Sequence, residues 1–341
     1  MKTQRLIAIL FALVLLSRFA GTLAATGGGA LRVAAVDSIG MTVENMDRAV
    51  DFYTRVLTFE RVSDVEVSGR EVELLQGIFG ARMRVVRLRL GGESIELTEY
   101  LAPKGRPVPA DMRPNDRAFQ HAAIIVSDME AAYQRLRQYH VEHASTGPQR
   151  LPDWNLNAGG ISAFYFRDPD RHFLEVLHFP PGKGLAKWQQ RDRLFLGIDH
   201  TAIVVGDTEQ SLKLYRDGFQ MTVAGESENY DTEQEHLNGV FGARLRITSL
   251  RVDEGPGIEL LEYLAPRDGR PAPLDLRAND IAHWQTTLVA NAPERINDLL
   301  HQRIFALVSP NVVALPTASL AIREGIVVRD PDGHGIRLAA R

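Results

Sequence analysis

Apolar and polar positions along the chain fall into four blocks of the same order. In the first, Ile39–Val43 is a short apolar run that reads as a strand. Asn45–Leu57 then places Met46, Ala49, Val50, Tyr53 and Leu57 at three-to-four-residue spacing, which predicts a helix. Strand-like runs follow over 59–67, 82–90 and 93–100, so the block is a β-α-β-β-β unit. The second block opens with Phe119–Val126, has a helical pattern over Met129–Tyr139, and ends in runs near 161–167 and 172–179. The third opens at Gly197–Val205, with a helix over Thr208–Gly218 and strands to Leu264. Within it, polar Glu226–Asn238 reads as a solvated loop, with a lid over a cavity as the alternative. The fourth opens at Ala282–Ala290, continues with a helix over Ala292–Arg303, and ends in Gly325–Arg329 and Gly335–Ala340. Connectors near 101–118, 180–196 and 265–281 are rich in Pro, Gly and charge, as linkers are.

The four blocks form two copies of a longer repeat. Gly77-Ile78-Phe79-Gly80-Ala81-Arg82 recurs as Gly239-Val240-Phe241-Gly242-Ala243-Arg244. Ile95-Glu96-Leu97 with Glu99-Tyr100-Leu101-Ala102-Pro103 recurs as Ile258-Glu259-Leu260 with Glu262-Tyr263-Leu264-Ala265-Pro266. Arg167-Asp168-Pro169-Asp170 recurs as Arg329-Asp330-Pro331-Asp332. The offset stays between 162 and 164, so insertions between the copies are small. The Asp-Pro-Asp segments read as turn formers without chemistry.

Composition narrows the setting. Lys2 and Arg5 precede an eleven-residue apolar core, Leu6–Leu16, and a small-residue stretch, Ser17–Ala24, the pattern of a secretory signal. That core is shorter than the roughly 20 residues of a membrane span. Removing residues 1–24 moves the net charge from −4 to −7, leaving an acidic chain with no membrane attachment and no basic surface for nucleic acid. The absence of cysteine excludes disulfides and a lipid-anchored Cys. The expected location is periplasmic or secreted.

With Ile198-Asp199-His200-Thr201-Ala202-Ile203-Val204-Val205 at a unit start and Phe166-Arg167-Asp168-Pro169-Asp170 before a last strand, the chain resembles the vicinal oxygen chelate (VOC) superfamily. That group includes glyoxalase I, extradiol dioxygenases, and the fosfomycin- and bleomycin-resistance proteins. The resemblance spans residues 33–341 and implies an α+β fold of four βαβββ units in two glyoxalase-like domains, 33–180 and 195–341. It also implies two metal-ligand positions per unit, one early on the first strand and one on the last. Here those positions hold Ser38 and Glu96, His121 and Glu175, His200 and Glu259, and Gln285 and Arg337. Units two and three carry a His and a Glu each. Unit one has Ser38 in place of His, and unit four has Arg337, a cation that repels a metal.

Two pairings of the units are open. If sequence neighbours pair, both sites are damaged. If units two and three pair, as in fused glyoxalases that resemble swapped dimers, one site is complete with His121, Glu175, His200 and Glu259. Units one and four then share a defunct site in which Glu96 can pair with Arg337. The swapped pairing explains all the losses with one event and is the expectation carried forward.

The resemblance implies a divalent metal (Zn, Ni, Co, Mn or Fe) acting as a Lewis acid on a small substrate with two neighbouring oxygens, with Glu175 or Glu259 as base. Glyoxalase-like lyase or isomerase chemistry fits best. A non-catalytic binding protein of the bleomycin-resistance type is the alternative, and extradiol ring cleavage fits less well. Trp154 and Asn155, in the loop before the last strands of unit two, and His283, two residues before Gln285, are expected to touch substrate. A fused four-unit chain can complete its site as a monomer, with a homodimer equally open.

Overall fold

The computed structural model describes residues 31–315 and 320–340; the signal-like segment 1–24 lies outside them. The strands are β1 Val33–Thr42, β2 Glu60–Ser68, β3 Arg82–Leu90 and β4 Glu93–Ala102 in unit one, and β5 Phe119–Val126, β6 Glu142–His143, β7 Gln149–Arg150, β8 Ser162–Arg167 and β9 Phe173–His178 in unit two. Unit three holds β10 Phe195–Val205, β11 Thr222–Asn229, β12 Arg244–Arg251 and β13 Gly257–Ala265. Unit four holds β14 Trp284–Ala290, β15 Ala306–Leu307, β16 Val313–Ala314, β17 Glu324–Arg329 and β18 Gly335–Ala340. They build two nine-stranded mixed sheets. One runs β15-β17-β18-β14-β1-β4-β3-β2, with β16 also on β17, and the other β11-β12-β13-β10-β5-β9-β8-β6, with β7 also on β8.

Each sheet therefore takes one unit from each sequence repeat: one and four in the first, two and three in the second. The seams are antiparallel pairings of opening strands, β1 with β14 and β10 with β5. These strands are buried along almost their whole length because both faces are covered, as the burial of every residue of β5 and β10 shows. Hairpin tips seal the contact between the two sheets. Gly91 at the β3–β4 turn has φ +61°, and a Cβ there would stand 2.3 Å from the Leu196 carbonyl oxygen. Gly255, before β13, has φ +89°, and a Cβ would stand 2.0 Å from the Val36 carbonyl oxygen. Only glycine fits either place.

The helix opening unit one, α1 Met46–Asp51, is capped by Asn45, whose side chain accepts from Arg48 N, and continues as a π turn over Phe52–Val56. Its equivalent in unit three, α4 Thr208–Leu212, is capped by Asp207 and continues over Lys213–Gly218. Unit two has the predicted helix as α3 Met129–Gln138. The unit-four segment is a 3₁₀ helix over Pro293–Gln302. Two helices are additions to the sequence reading: α2 Arg70–Gln76, and α5 Asp231–Asn238 within the stretch expected to be a solvated loop. In α5, Gln234, Leu237 and Asn238 are buried while the rest is polar and open, a face too narrow to register as helical periodicity.

The Asp-Pro-Asp turns are more than turn formers. Asp168 accepts from the Tyr53 hydroxyl and sits 2.8 Å from His172 Nδ1, while His172 Nε2 reaches the Ile281 carbonyl oxygen. Asp330, Tyr215 and His334 repeat the arrangement. Each set ties units of different sheets together through buried polar groups, although His334 Nε2, unlike His172 Nε2, makes no hydrogen bond.

Candidate metal centre

His121 on β5 and His200 on β10 face each other across the seam of the second sheet. Ala202 pairs with His121 and His200 pairs with Ala123, so the two histidines are diagonal neighbours on one face. Parallel pairing places Glu175 of β9 beside Ala123 and Glu259 of β13 beside Ala202. All four predicted ligand positions thus arrive at one place. The ligand atoms of His121, Glu175 and His200 lie within 4.8 Å of one another. His121 Nε2 is 3.2 Å from His200 Nε2 and 3.2 Å from Glu175 Oε2. Glu259 Oε2 stands 3.3 Å from His200 Nε2, while its Oε1 accepts from the Ser249 hydroxyl at 2.5 Å.

The tautomers follow from what holds the other ring nitrogens. His200 Nδ1 lies 3.0 Å from Asp199 Oδ2, and Asp199 in turn accepts from Arg251 and from Trp188 Nε1. His121 Nδ1 meets the Gln120 amide oxygen. With both Nδ1 atoms engaged by acceptors, both Nε2 atoms point lone pairs at the cluster. Asp199 and Gln120 immediately precede their histidines and would face away on a regular strand. Both fall at register shifts of the β10–β5 ladder, and such bulges re-aim side chains.

Several lone pairs therefore converge in a buried place, and Glu175 Oε2 has no hydrogen-bond donor. Such a set repels itself unless a proton or a cation lies between its members. Ligands about 2.1 Å from a metal in tetrahedral or octahedral geometry stand about 3 to 3.4 Å apart, the spacing found here. The residues fit a divalent cation. Without one, the cluster draws in a proton: burial pulls the His200 pKa down, but Glu259, Asp199 and Glu175 outweigh it and raise it to about 9.

A pocket of about 110 Å³ opens over the cluster. Apolar side chains such as Leu177, Phe179, Ile247 and Leu261 line it, together with Tyr165, Asn229 and Gln234. Tyr165 packs against the His121 ring, 4.9 Å between centroids. Burial, then Glu175, push its pKa well above the ordinary value, so it keeps its proton. In sequence Tyr165 is one aromatic among several in a strand, and nothing marks it.

The three expected substrate contacts fare differently. Asn155 is buried under the outer groove that Trp154 also lines and reaches the pocket only through its neighbours: it donates to Asn229 Oδ1, and its own oxygen accepts from Ala158 N. Trp154 is 46% exposed and stacks on Tyr230, lining an open groove outside the pocket. His283 immediately precedes β14 of the other sheet and does not line this pocket. Its position two before Gln285 is on the correct face, but of the wrong half of the molecule.

In the first sheet the corresponding place is closed. Arg337, 1% exposed, fills it and pairs with Glu96 through contacts of 2.9 and 3.0 Å. Arg87 occupies the position of Ser249 and binds Asp37 with both terminal nitrogens.

Comparison with known proteins agrees with this architecture. The family model of the Glyoxalase/Bleomycin resistance protein/Dioxygenase superfamily matches residues 35–176 and again 197–338. The chain belongs to this superfamily. Its fold is that of two VOC domains. A 2-epi-5-epi-valiolone epimerase from Actinomyces sp is 32% identical over 163 residues, which is 46% of this chain and 86% of the relative. Glyoxalase I from Zea mays superposes with a TM-score of 0.58 at 15% identity, covering 91% of this chain and 92% of that one. A putative dioxygenase from Bacillus subtilis subsp. subtilis str. 168 gives 0.54 at 14% identity, covering 91% and 86%. At such identities the structural likeness concerns the fold alone.

Proposed function

We propose that this chain is a metal-dependent enzyme of the isomerase or lyase type, moving a proton at a carbon beside a carbonyl in a small substrate with two neighbouring oxygens. The observation that carries this reading is the convergence of two imidazole Nε2 atoms and a buried carboxylate from two different units. His121, Glu175 and His200 would hold the cation (Zn, Ni, Co, Mn or Fe), with Glu259 beside them. A bound cation would supply Lewis acidity toward the substrate's paired oxygens.

The chain's own residues divide the remaining work. Glu259 is the member most open to the pocket, with a 19% exposed side chain against 4% for Glu175. It is therefore the general base, oriented by Ser249. It takes the proton from carbon, and the C–H electron pair moves toward the adjoining carbonyl. Delivery of a proton to the opposite face by a second group, a role open to Tyr165, with Glu259 and Tyr165 re-equilibrating through solvent, inverts the carbon; return by Glu259 to the neighbouring carbon isomerises the substrate. Tyr165 keeps its proton and is a donor for a substrate oxygen. Asp199 holds the His200 ring in place, and the apolar walls keep water from the carbanion-like species. The epimerase relative supports proton transfer at carbon. The signal-like segment supports action outside the cytoplasm.

The test has two readouts. Metal per chain is measured on purified wild type, His200→Ala and Glu96→Ala. About one metal is expected, lost with His200→Ala and kept with Glu96→Ala. Deuterium wash-in from D₂O is then followed by NMR with 2-epi-5-epi-valiolone and with the hemithioacetal of methylglyoxal and glutathione. Exchange that disappears in Glu259→Gln, with metal retained, supports the base assignment. A wild type that takes up no metal after reconstitution overturns the proposal and leaves a binding protein.

A further inference from the structure

A second pocket, of about 260 Å³, lies between the two sheets under the connectors 101–118 and 265–281. Its walls are apolar: Phe119 stacks on Trp284 with centroids 5.5 Å apart and planes 14° from parallel, and Met112 and Leu276 add to them. Two of its arginines are neutralised. Arg106 binds Asp280 through Nε and a terminal nitrogen, and Arg270 binds Asp116 in the same way.

The other two are held more loosely. Arg329 donates to the carbonyl oxygens of Gly333 and Leu276 at 2.7 and 2.8 Å, and among the described residues no carboxylate reaches it at ion-pair distance. Its counterpart in unit two, Arg167, has Glu142 at 3.2 Å. Arg117 has only a 3.4 Å contact with Asp332. Arg329, which feels the charges of Asp280 and Asp330 without bridging to either, is thus the lining cation that lacks a direct carboxylate contact among the described residues.

His283 adds a neutral polar group. It is 5% exposed, and neither ring nitrogen makes a hydrogen bond. The Gln285 amide lies nearby without the alignment of one, and its oxygen is also unpartnered. Burial and the Arg329 charge push the His283 pKa down to about 3, so the ring is uncharged and offers one donor and one acceptor. The imidazole edge fits there because position 335 is glycine: a Cβ would be 2.8 Å from His283 Cε1. A buried histidine with both nitrogens unused leaves hydrogen-bonding capacity that a native interior seldom wastes.

We propose that this inter-sheet pocket is a second ligand site, for a small monocarboxylate with an apolar, ring-sized body: the body against Phe119 and Trp284, the carboxylate toward Arg329 and His283. It is separate from the metal cluster and does not depend on the reading of that site.

The probes are benzoate and phenylacetate, with benzyl alcohol as the uncharged control, followed by calorimetry and saturation-transfer NMR on the full chain. Arg329→Gln removes the charge but also the ties to Gly333 and Leu276. Ala272→Phe, on the covering connector, is therefore the second variant, filling the pocket without touching a polar group. Expected are saturable carboxylate binding, at least tenfold weaker benzyl alcohol binding, and at least tenfold loss in both variants. Binding should persist in His200→Ala. Absence of saturable binding, equal binding of the alcohol, indifference to both variants, or loss in His200→Ala would each overturn the proposal.

Discussion

Arg337 and Glu96 offer a quantitative test of how the unused site is held together. Their side chains are 1% and 6% exposed, and their nearest atoms are 2.9 Å apart. With charge centres about 4 Å apart and an effective dielectric constant of about 20, the attraction is about 4 kcal/mol. Arg337→Met keeps most of the volume and leaves the Glu96 carboxylate buried without its partner. Breaking a buried pair in this way costs about 3–5 kcal/mol. At about 2–4 °C per kcal/mol for a domain of this size, the melting temperature should fall by about 10 °C. The double variant Glu96→Gln, Arg337→Met removes both charges and should recover most of the loss. Urea unfolding and calorimetry of the three proteins complete the cycle, with metal content as a control. A single variant costing under about 1 kcal/mol, or a double variant no better than the single, would refute the reasoning. Loss of the metal in Arg337→Met would mean that the first sheet takes part in the metal centre.

Asp199→Asn should weaken metal binding about 10- to 100-fold by releasing the His200 ring, which competition with a chelator measures directly; unchanged affinity would show that Asp199 has no orienting role. The His172 pKa is raised from 6.5 to about 9: burial lowers it, and the Asp168 charge and hydrogen bonds outweigh that. Its contribution to stability is therefore full below pH 6.5 and is lost as pH rises through 9, by about 3 kcal/mol at most. Urea midpoints between pH 6 and 9.5 should fall in wild type and flatten in His172→Gln; equal slopes would dismiss the assignment. Gly255→Ala forces a Cβ to 2.0 Å from the Val36 carbonyl at positive φ and should cost more than about 2 kcal/mol by thermal unfolding, whereas Gly225→Ala, with open space around it, should cost under about 1 kcal/mol.

The sequence by itself determined the units, their order and the ligand ledger. Strand and helix periods are local, so β5, α3 and β10 could be read from consecutive residues. Comparison of the four units put His121 and His200 at the same position of their units, and the repeat marked Ser38 opposite His200 and Arg337 opposite Glu175 as losses, from which the Glu96–Arg337 pair followed. What local pattern could not contain is which unit faces which. The connectors are long enough for either pairing, and hydrogen bonds between β5 and β10 join residues that no periodicity links. Only the assembled seam brings one complete set of ligands together, and only there does His283 fall into the other half of the molecule. The bulges that turn Gln120 and Asp199 toward their histidines are mismatches between two strands, invisible in either strand alone. Burial of α5 likewise depends on the pocket it closes, because a polar helix with three inward residues acquires an inside only when another surface supplies one.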